Sequence, residues 1–330
     1  MAEVAVITGA SAGIGRATAR EFARRGCDVV LVARGRDRLE AAAAEVEAFG
    51  RQALVIPCDV ADAQAVEHAA DRAVEQFRRI DFWVNNAFAG IFSRFMDMSV
   101  TEFRRVVDVT FMGQVHGTRA ALRHMLPRNA GAIVLVGSAL AYRGIPLQSA
   151  YCASKHAVQG LLDSLRVELL ASGSKVRLSM VQLPGVNTPQ FDWIRAHTRG
   201  RPKPVGAVYQ PEVAAAAIWK AAHSGRKEWI VGAPAYQAIL GDKLISALLD
   251  RYLARGGIEA QQDKQPVAPD RKDNLFDPVP GDPGAHGRFD DQARTGSRLL
   301  WASDHRAMLA SGAAIAAGAA ALLAARKKTR

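Results

Sequence analysis

The chain has 330 residues, 49 % of them apolar, and a formal charge of +11. That length is long for one domain and short for two full ones, with apolar residues enough for a packed core. Positions 295–330 hold six basic residues (Arg298, Arg306, Arg326, Lys327, Lys328, Arg330) against Asp304. The remaining charge is spread without a basic stripe interleaved with aromatics, which excludes nucleic acid as a principal partner. Cys27, Cys58 and Cys152 are too few and too scattered for a disulfide framework or a metal site, so no metal is expected and buried thiols in a reducing compartment are.

In chain order, short β-branched runs alternate with segments of helical period. Strands are predicted at 4–8, 28–33, 53–58, 82–85, 132–137, 176–183 and 228–231. The first run leads straight into glycines, so it reads as a strand and not as a secretory signal. Between strands, Leu39, Ala43 and Val46 fall at helical spacing, as do Val158, Leu161, Leu162, Leu165 and Leu169. Near-continuous apolar strands separated by helices predict an α/β fold, a doubly wound parallel seven-stranded sheet covered on both faces. Ligands of such sheets bind outside the carboxyl ends of the strands. This pattern fills residues 1–259. Residues 260–297 are rich in Pro, Asp, Gln and Gly and read as a linker-like or loosely docked arm. Residues 298–330 read as a terminal apolar helix with a basic end.

The turn after the first strand runs Thr8-Gly9-Ala10-Ser11-Ala12-Gly13-Ile14-Gly15. Glycines let backbone approach a pyrophosphate, and a helix starting near Ile14 offers free N–H groups and a positive dipole end. The second strand ends Ala33-Arg34, where dinucleotide-binding folds usually place an acid for a free ribose 2′-hydroxyl. A guanidinium there forks onto a 2′-phosphate, so NADP(H) is preferred over NAD(H), with a solvated surface arginine as the plainer alternative.

Tyr151 and Lys155 stand four apart on a predicted helix and so project from one face. An ammonium beside a phenol favours the phenolate and lowers a pKa that starts at about 10. Ser138 lies upstream, at the end of a strand. Together they suit proton exchange with a carbonyl/alcohol pair.

These motifs resemble the short-chain dehydrogenase/reductase family, whose wider glycine spacing the first turn also has. The resemblance implies Tyr151 as general acid/base, Lys155 depressing its pKa and bonding the nicotinamide ribose, and Ser138 holding the substrate oxygen. It also implies cofactor contacts from Gly9, Ser11, Gly13, Ile14 and Gly15, from Asp59-Val60, and from Asn86-Ala87. Pro184-Gly185 with Thr188 resembles the segment that closes over the nicotinamide. Two positions depart from the pattern. Phe88 stands where that family usually has glycine. Thr110 replaces the asparagine associated with a water in a proton relay to the lysine, where a hydroxyl is expected to tune the activity. The rival reading is a catalytically weak or inactive dinucleotide-binding scaffold of the same fold.

Phe88, Phe92, Phe95, Met96, Leu140, Ile145, Phe191 and Trp193 read either as packing under a loop or as a pocket for a lipophilic carbonyl or alcohol. Arg143 and Arg195 are alternative partners for an acidic group on the substrate. A homo-oligomer is expected. Residues 308–325 carry no charge and would span about 27 Å as a helix, just short of a hydrocarbon core of about 30 Å. Three readings compete for them: a weak membrane anchor, a helix docked on the enzyme or on a second subunit, and a frayed Ala-rich helix. In each the cofactor domain is cytoplasmic, with association at the cytosolic membrane face under the first.

Overall fold

The computed structural model describes residues 2–306 other than 269, together with 308 and 311. Seven parallel strands form the central sheet: β1 (Val4–Thr8), β2 (Asp28–Ala33), β3 (Ala53–Pro57), β4 (Phe82–Asn85), β5 (Ala132–Val136), β6 (Arg177–Gln182) and β7 (Glu228–Ile230). Their order is β3-β2-β1-β4-β5-β6-β7, so strand order reverses between β1 and β4. All seven sequence-predicted strands are present, within a residue at each end.

Successive side chains of a strand point to opposite faces, so a strand buried on both sides is apolar at most positions. Val4, Val6, Val30 and Val32 enter one core layer, while Ala5, Ile7, Val29 and Leu31 enter the other. The first layer is closed by α3 (Ala63–Phe77), α4 (Val100–Val107), α5 (Gly113–Met125) and α6 (Ser149–Ala171); the second by α1 (Gly13–Arg24), α2 (Arg36–Glu47) and α7 (Pro211–Ala222). Local signals set the helix starts. Asp62 caps α3 through the Gln64 and Ala65 N–H groups, and Ser99 with Glu102 forms a reciprocal capping box on α4.

The helix α8 (Ala233–Gly256) follows β7 and is interrupted at Ile245. Tyr236, Leu240, Leu244, Leu248 and Tyr252 recur every fourth residue along it and are all exposed.

The arm differs from its linker-like composition. Residues Gln262–Pro266 pair antiparallel with Gly200–Pro202, and Leu275, Ala285 and Phe289 are buried. The composition argument counts apolar area, whereas this segment is held largely by hydrogen bonds from arginines elsewhere in the chain. The short helix α9 (Arg298–Asp304) is likewise docked on the domain: Ser297 caps it, Leu300 is buried, and Asp304 pairs with Lys220. The apolar segment 308–325 lies, apart from 308 and 311, outside the described residues. Among the described residues no helix is long and apolar enough to cross a membrane.

Candidate active site

The glycine turn is shaped by close approach. Gly9 and Gly13 have φ of +67° and +55°, a region that disfavours side chains, and a Cβ on Gly15 would lie 2.1 Å from the Gly9 carbonyl oxygen. Helix α1 starts at Gly13 with no side-chain cap, so its first turn presents N–H groups and the positive dipole end to the cleft. Thr8 fastens this turn to the end of β4: its hydroxyl donates to Val84 O at 3.2 Å and accepts from Asn86 N and Ala87 N at 2.9 and 3.1 Å. The Asn86 side chain donates to Thr8 O at 2.9 Å, so it braces the crossover of strand order.

Gly9, Ser11, Gly13, Ile14, Arg34, Asp59, Val60, Asn86, Ala87 and Thr188 line one cleft at the carboxyl ends of the strands. Gly15 lies behind this wall as a packing glycine. Gly185 sits on a two-residue strand paired with Val208–Tyr209, next to Pro184 and outside the lining. Asp59 accepts from Ala61 N at 3.0 Å and pairs with Arg105. The cradle thus fits a dinucleotide: a turn without room for Cβ atoms, an uncapped helix start and no acid at the end of β2.

Sequence reasoning missed several lining groups. Arg38 and Arg105 are in the wall, as are Asn274, Leu275, Pro278 and Val279 of the arm. The Arg38 guanidinium lies 4.7 Å from the Trp193 ring centre, bridging α2 and the loop after residue 188. Arg38, in the first turn of α2 just after Arg34, was a usable sequence signal; nothing local marked the arm.

Beyond the cleft lie Ser138, Tyr151 and Lys155. Lys155 is 2 % exposed, and its Nζ donates to Val136 O at 2.6 Å and lies 5.5 Å from the Tyr151 ring centre. Ser138 lies two residues past the end of β5 and its Oγ accepts from Leu140 N at 3.1 Å. Phe88 meets the Tyr151 ring edge-on at 5.9 Å and also lines the cleft. The sequence expectation is that the ammonium lowers the phenol's pKa, and in the packed interior burial acts in the opposite direction. Burial pushes the Tyr151 phenol far above its ordinary range, opposed by a hydrogen bond with Ser138, and pulls Lys155 down to about 7. Both shifts have one cause: desolvation disfavours the charged form of each group, phenolate and ammonium alike.

Thr110 is fully buried in a wide helical turn at Asp108–Met112. Its Oγ1 donates to Ala89 O at 2.8 Å and accepts from Ala89 N at 2.9 Å. The hydroxyl therefore holds the loop after β4, and its only proton is committed there. One turn on, Gln114 Nε2 donates at 3.3 Å to Val136 O, the carbonyl that Lys155 uses, while its Oε1 is buried without a partner.

The aromatic candidates divide. Phe92 and Phe191 pack with Ile194, Val208 and Phe289 in a small separate core, and Phe95 and Met96 are exposed. Phe88 and Trp193 remain at the cleft. Neither candidate arginine is free for an acidic substrate, because Arg143 pairs with Asp242 and Asp250, and Arg195 with Glu102 and Asp273. Cys152 is buried and its thiol is pushed up by that burial, which makes it a packing residue.

With this geometry in place, the likenesses to known proteins agree. The short chain dehydrogenase family model matches residues 3–198. An uncharacterized oxidoreductase, YxnA, of Bacillus subtilis is 32 % identical over 316 residues, 95 % of this chain and 88 % of that one. The structure of an alcohol dehydrogenase from Thermococcus sibiricus complexed with 5-hydroxy-NADP superposes with a TM-score of 0.62 at 29 % identity, covering 70 % of this chain and 96 % of that one. An NAD+-bound xylitol dehydrogenase gives 0.54 at 32 % identity, covering 56 % and 70 %. The chain belongs to the short-chain dehydrogenase/reductase family. It is an NAD(P)-dependent oxidoreductase acting on CH–OH groups.

Proposed function

We propose that this protein interconverts a hydroxyl and a carbonyl on a lipophilic small molecule with NADP(H), using Tyr151 as general acid/base, Ser138 to hold the substrate oxygen and Lys155 to support the phenolate. The reading rests above all on Tyr151 and Lys155 standing on one face of α6, beside Ser138 just past the end of β5 and next to a cleft built for a dinucleotide. Preference for NADP(H) is supported by Arg34 and Arg38 in the cleft wall, with no carboxylate at the end of β2. Phe88 and Trp193, the aromatic groups left at the cleft, favour an apolar substrate.

A bound nicotinamide supplies the hydride acceptor or donor. In the oxidative direction the substrate hydroxyl gives its proton to the Tyr151 phenolate as the C–H bond breaks with its electron pair and the C=O bond forms. Reduction is the reverse, with the phenol protonating the nascent alkoxide. Ser138 Oγ donates to that oxygen, where charge develops. Lys155, tied by one of its N–H groups to Val136 O, has donors left for the ribose and carries the charge that offsets the phenolate.

The test is NADPH oxidation against a panel of lipophilic ketones and aldehydes, with Tyr151→Phe in parallel. Turnover lost in Tyr151→Phe supports the assignment; equal turnover in both proteins overturns it. The second reading, a dinucleotide-binding scaffold with weak turnover, draws on one observation: Thr110 spends its proton on Ala89 O. Tight NADPH binding with no turnover across the panel would favour it.

A further inference from the structure

We propose that residues 271–290 are a strap that closes the dinucleotide cleft and must unlatch for the cofactor to enter or leave. This rests on reading the cleft as the NADP(H) site.

The strap touches the rim of the cleft on successive sides. Asn274 N donates to Trp193 O at 3.0 Å, on the loop after residue 188. Arg105 Nε of α4 donates to Leu275 O at 3.0 Å, and Arg34 at the end of β2 donates to Phe276 O at 2.6 Å and to Asn274 O. Arg38 of α2 donates to Gly281 O and Pro280 O at 2.6 and 3.1 Å. Arg16 of α1, also held by Glu45, pairs with Asp282, and Gly13 N donates to Gly284 O at 3.2 Å. Phe289 N donates to Asn187 Oδ1 at 2.9 Å, and Arg288 pairs with Asp192 and Asp263. Leu275 is buried beneath this span.

Two features make the closure reversible. The strap carries few buried apolar side chains, so it is held mainly by charge-assisted hydrogen bonds to part-buried or exposed backbone near the surface, which water can replace. The Arg34 guanidinium that grips its carbonyls is also the group proposed for the 2′-phosphate, and a phosphate is the stronger acceptor for that fork. A strap engaged from both ends impedes admission and release alike.

The experiment measures NADPH association and dissociation rates by stopped-flow fluorescence in the unmodified chain, Asp282→Asn and Arg288→Ala. Neither substituted residue lines the cleft. The melting temperature of each protein is recorded to show that it is folded. The strap predicts that both rates rise together by about three- to tenfold in each variant, as expected for loss of one partly exposed latch, with Kd within about twofold. The two substitutions change charge in opposite senses, so simple electrostatic attraction would move association in opposite directions and could not mimic this. Unchanged rates in both variants, or a rise in dissociation alone, would overturn the strap and leave the cofactor site standing. Failure of the unmodified chain to bind NADPH would overturn both.

Discussion

Arg34 grips the backbone of Phe276, a residue 242 positions away, at 2.6 Å. One guanidinium therefore belongs both to the end of β2 and to the arm. Arg34→Ala is expected to weaken NADPH by about 10- to 100-fold, the range of a lost charge-assisted pair, and NADH by less, because only the arm contact is then lost. Fluorescence titration with both cofactors decides this. Comparable losses for the two would remove Arg34 from 2′-phosphate recognition.

For Tyr151→Phe the expected outcome is a drop in kcat of about 10²- to 10⁴-fold with NADPH affinity nearly unchanged. Only the phenolic proton is lost, and the ring keeps its edge contact with Phe88. Single-turnover hydride transfer and a binding titration separate the two effects.

Thr110 and Ala89 are joined by two buried hydrogen bonds, and Ala89 lines the cleft. Thr110→Val keeps the shape but strands both backbone groups of Ala89, costing about 1–3 kcal/mol. Urea unfolding should show that loss, and NADPH affinity should fall with it. A variant as stable as the parent would mean that the loop finds other partners at no cost.

Burial pulls Lys155 from its ordinary 10.5 to about 7. Between those values the unfolded chain holds a proton that the folded chain has released, so the stability of the ligand-free protein rises with pH. The slope is at most about 1.4 kcal/mol per pH unit and should be absent in Lys155→Met. Comparing the two proteins between about pH 7 and pH 8.5 isolates it, because Cys27 and Cys58, pushed up to about 12 by burial, act oppositely only from their ordinary 9.0 upward. Parallel profiles would show that Lys155 stays charged inside the fold.

At the far end, a chain stopped after Arg306 is expected to fold, to bind NADPH and to turn over a soluble substrate. One stopped before Arg298 loses α9 with buried Leu300. Leu300→Ala should cost about 2 kcal/mol, the lower end for a buried leucine because the helix lies near the chain end. Thermal melts of the three proteins test this. A melting point unchanged by Leu300→Ala would show that α9 adds nothing to the domain.

The positions of the seven strands and the glycine turn were legible in the sequence, because each is fixed by neighbours a few positions apart. Val4–Ile7 is apolar at every residue since both faces of β1 are covered, and Gly9 and Gly13 mark a turn that excludes side chains. The four-residue interval from Tyr151 to Lys155 set one helix face in the same local way. Folding at long range decided the rest. Composition made 260–297 a linker or a loosely docked arm because it counts apolar residues, whereas the hold on that segment comes from Arg16, Arg34, Arg38 and Arg105, whose partners there are backbone carbonyls and one carboxylate that no local pattern reveals. Arg143 and Arg195 looked free for a substrate until folding brought Asp242, Asp250, Glu102 and Asp273 to them. The direction in which the Tyr151 and Lys155 pKa values move was not legible from residue type or spacing, because it follows desolvation, which exists only once the packed interior has removed water from both groups.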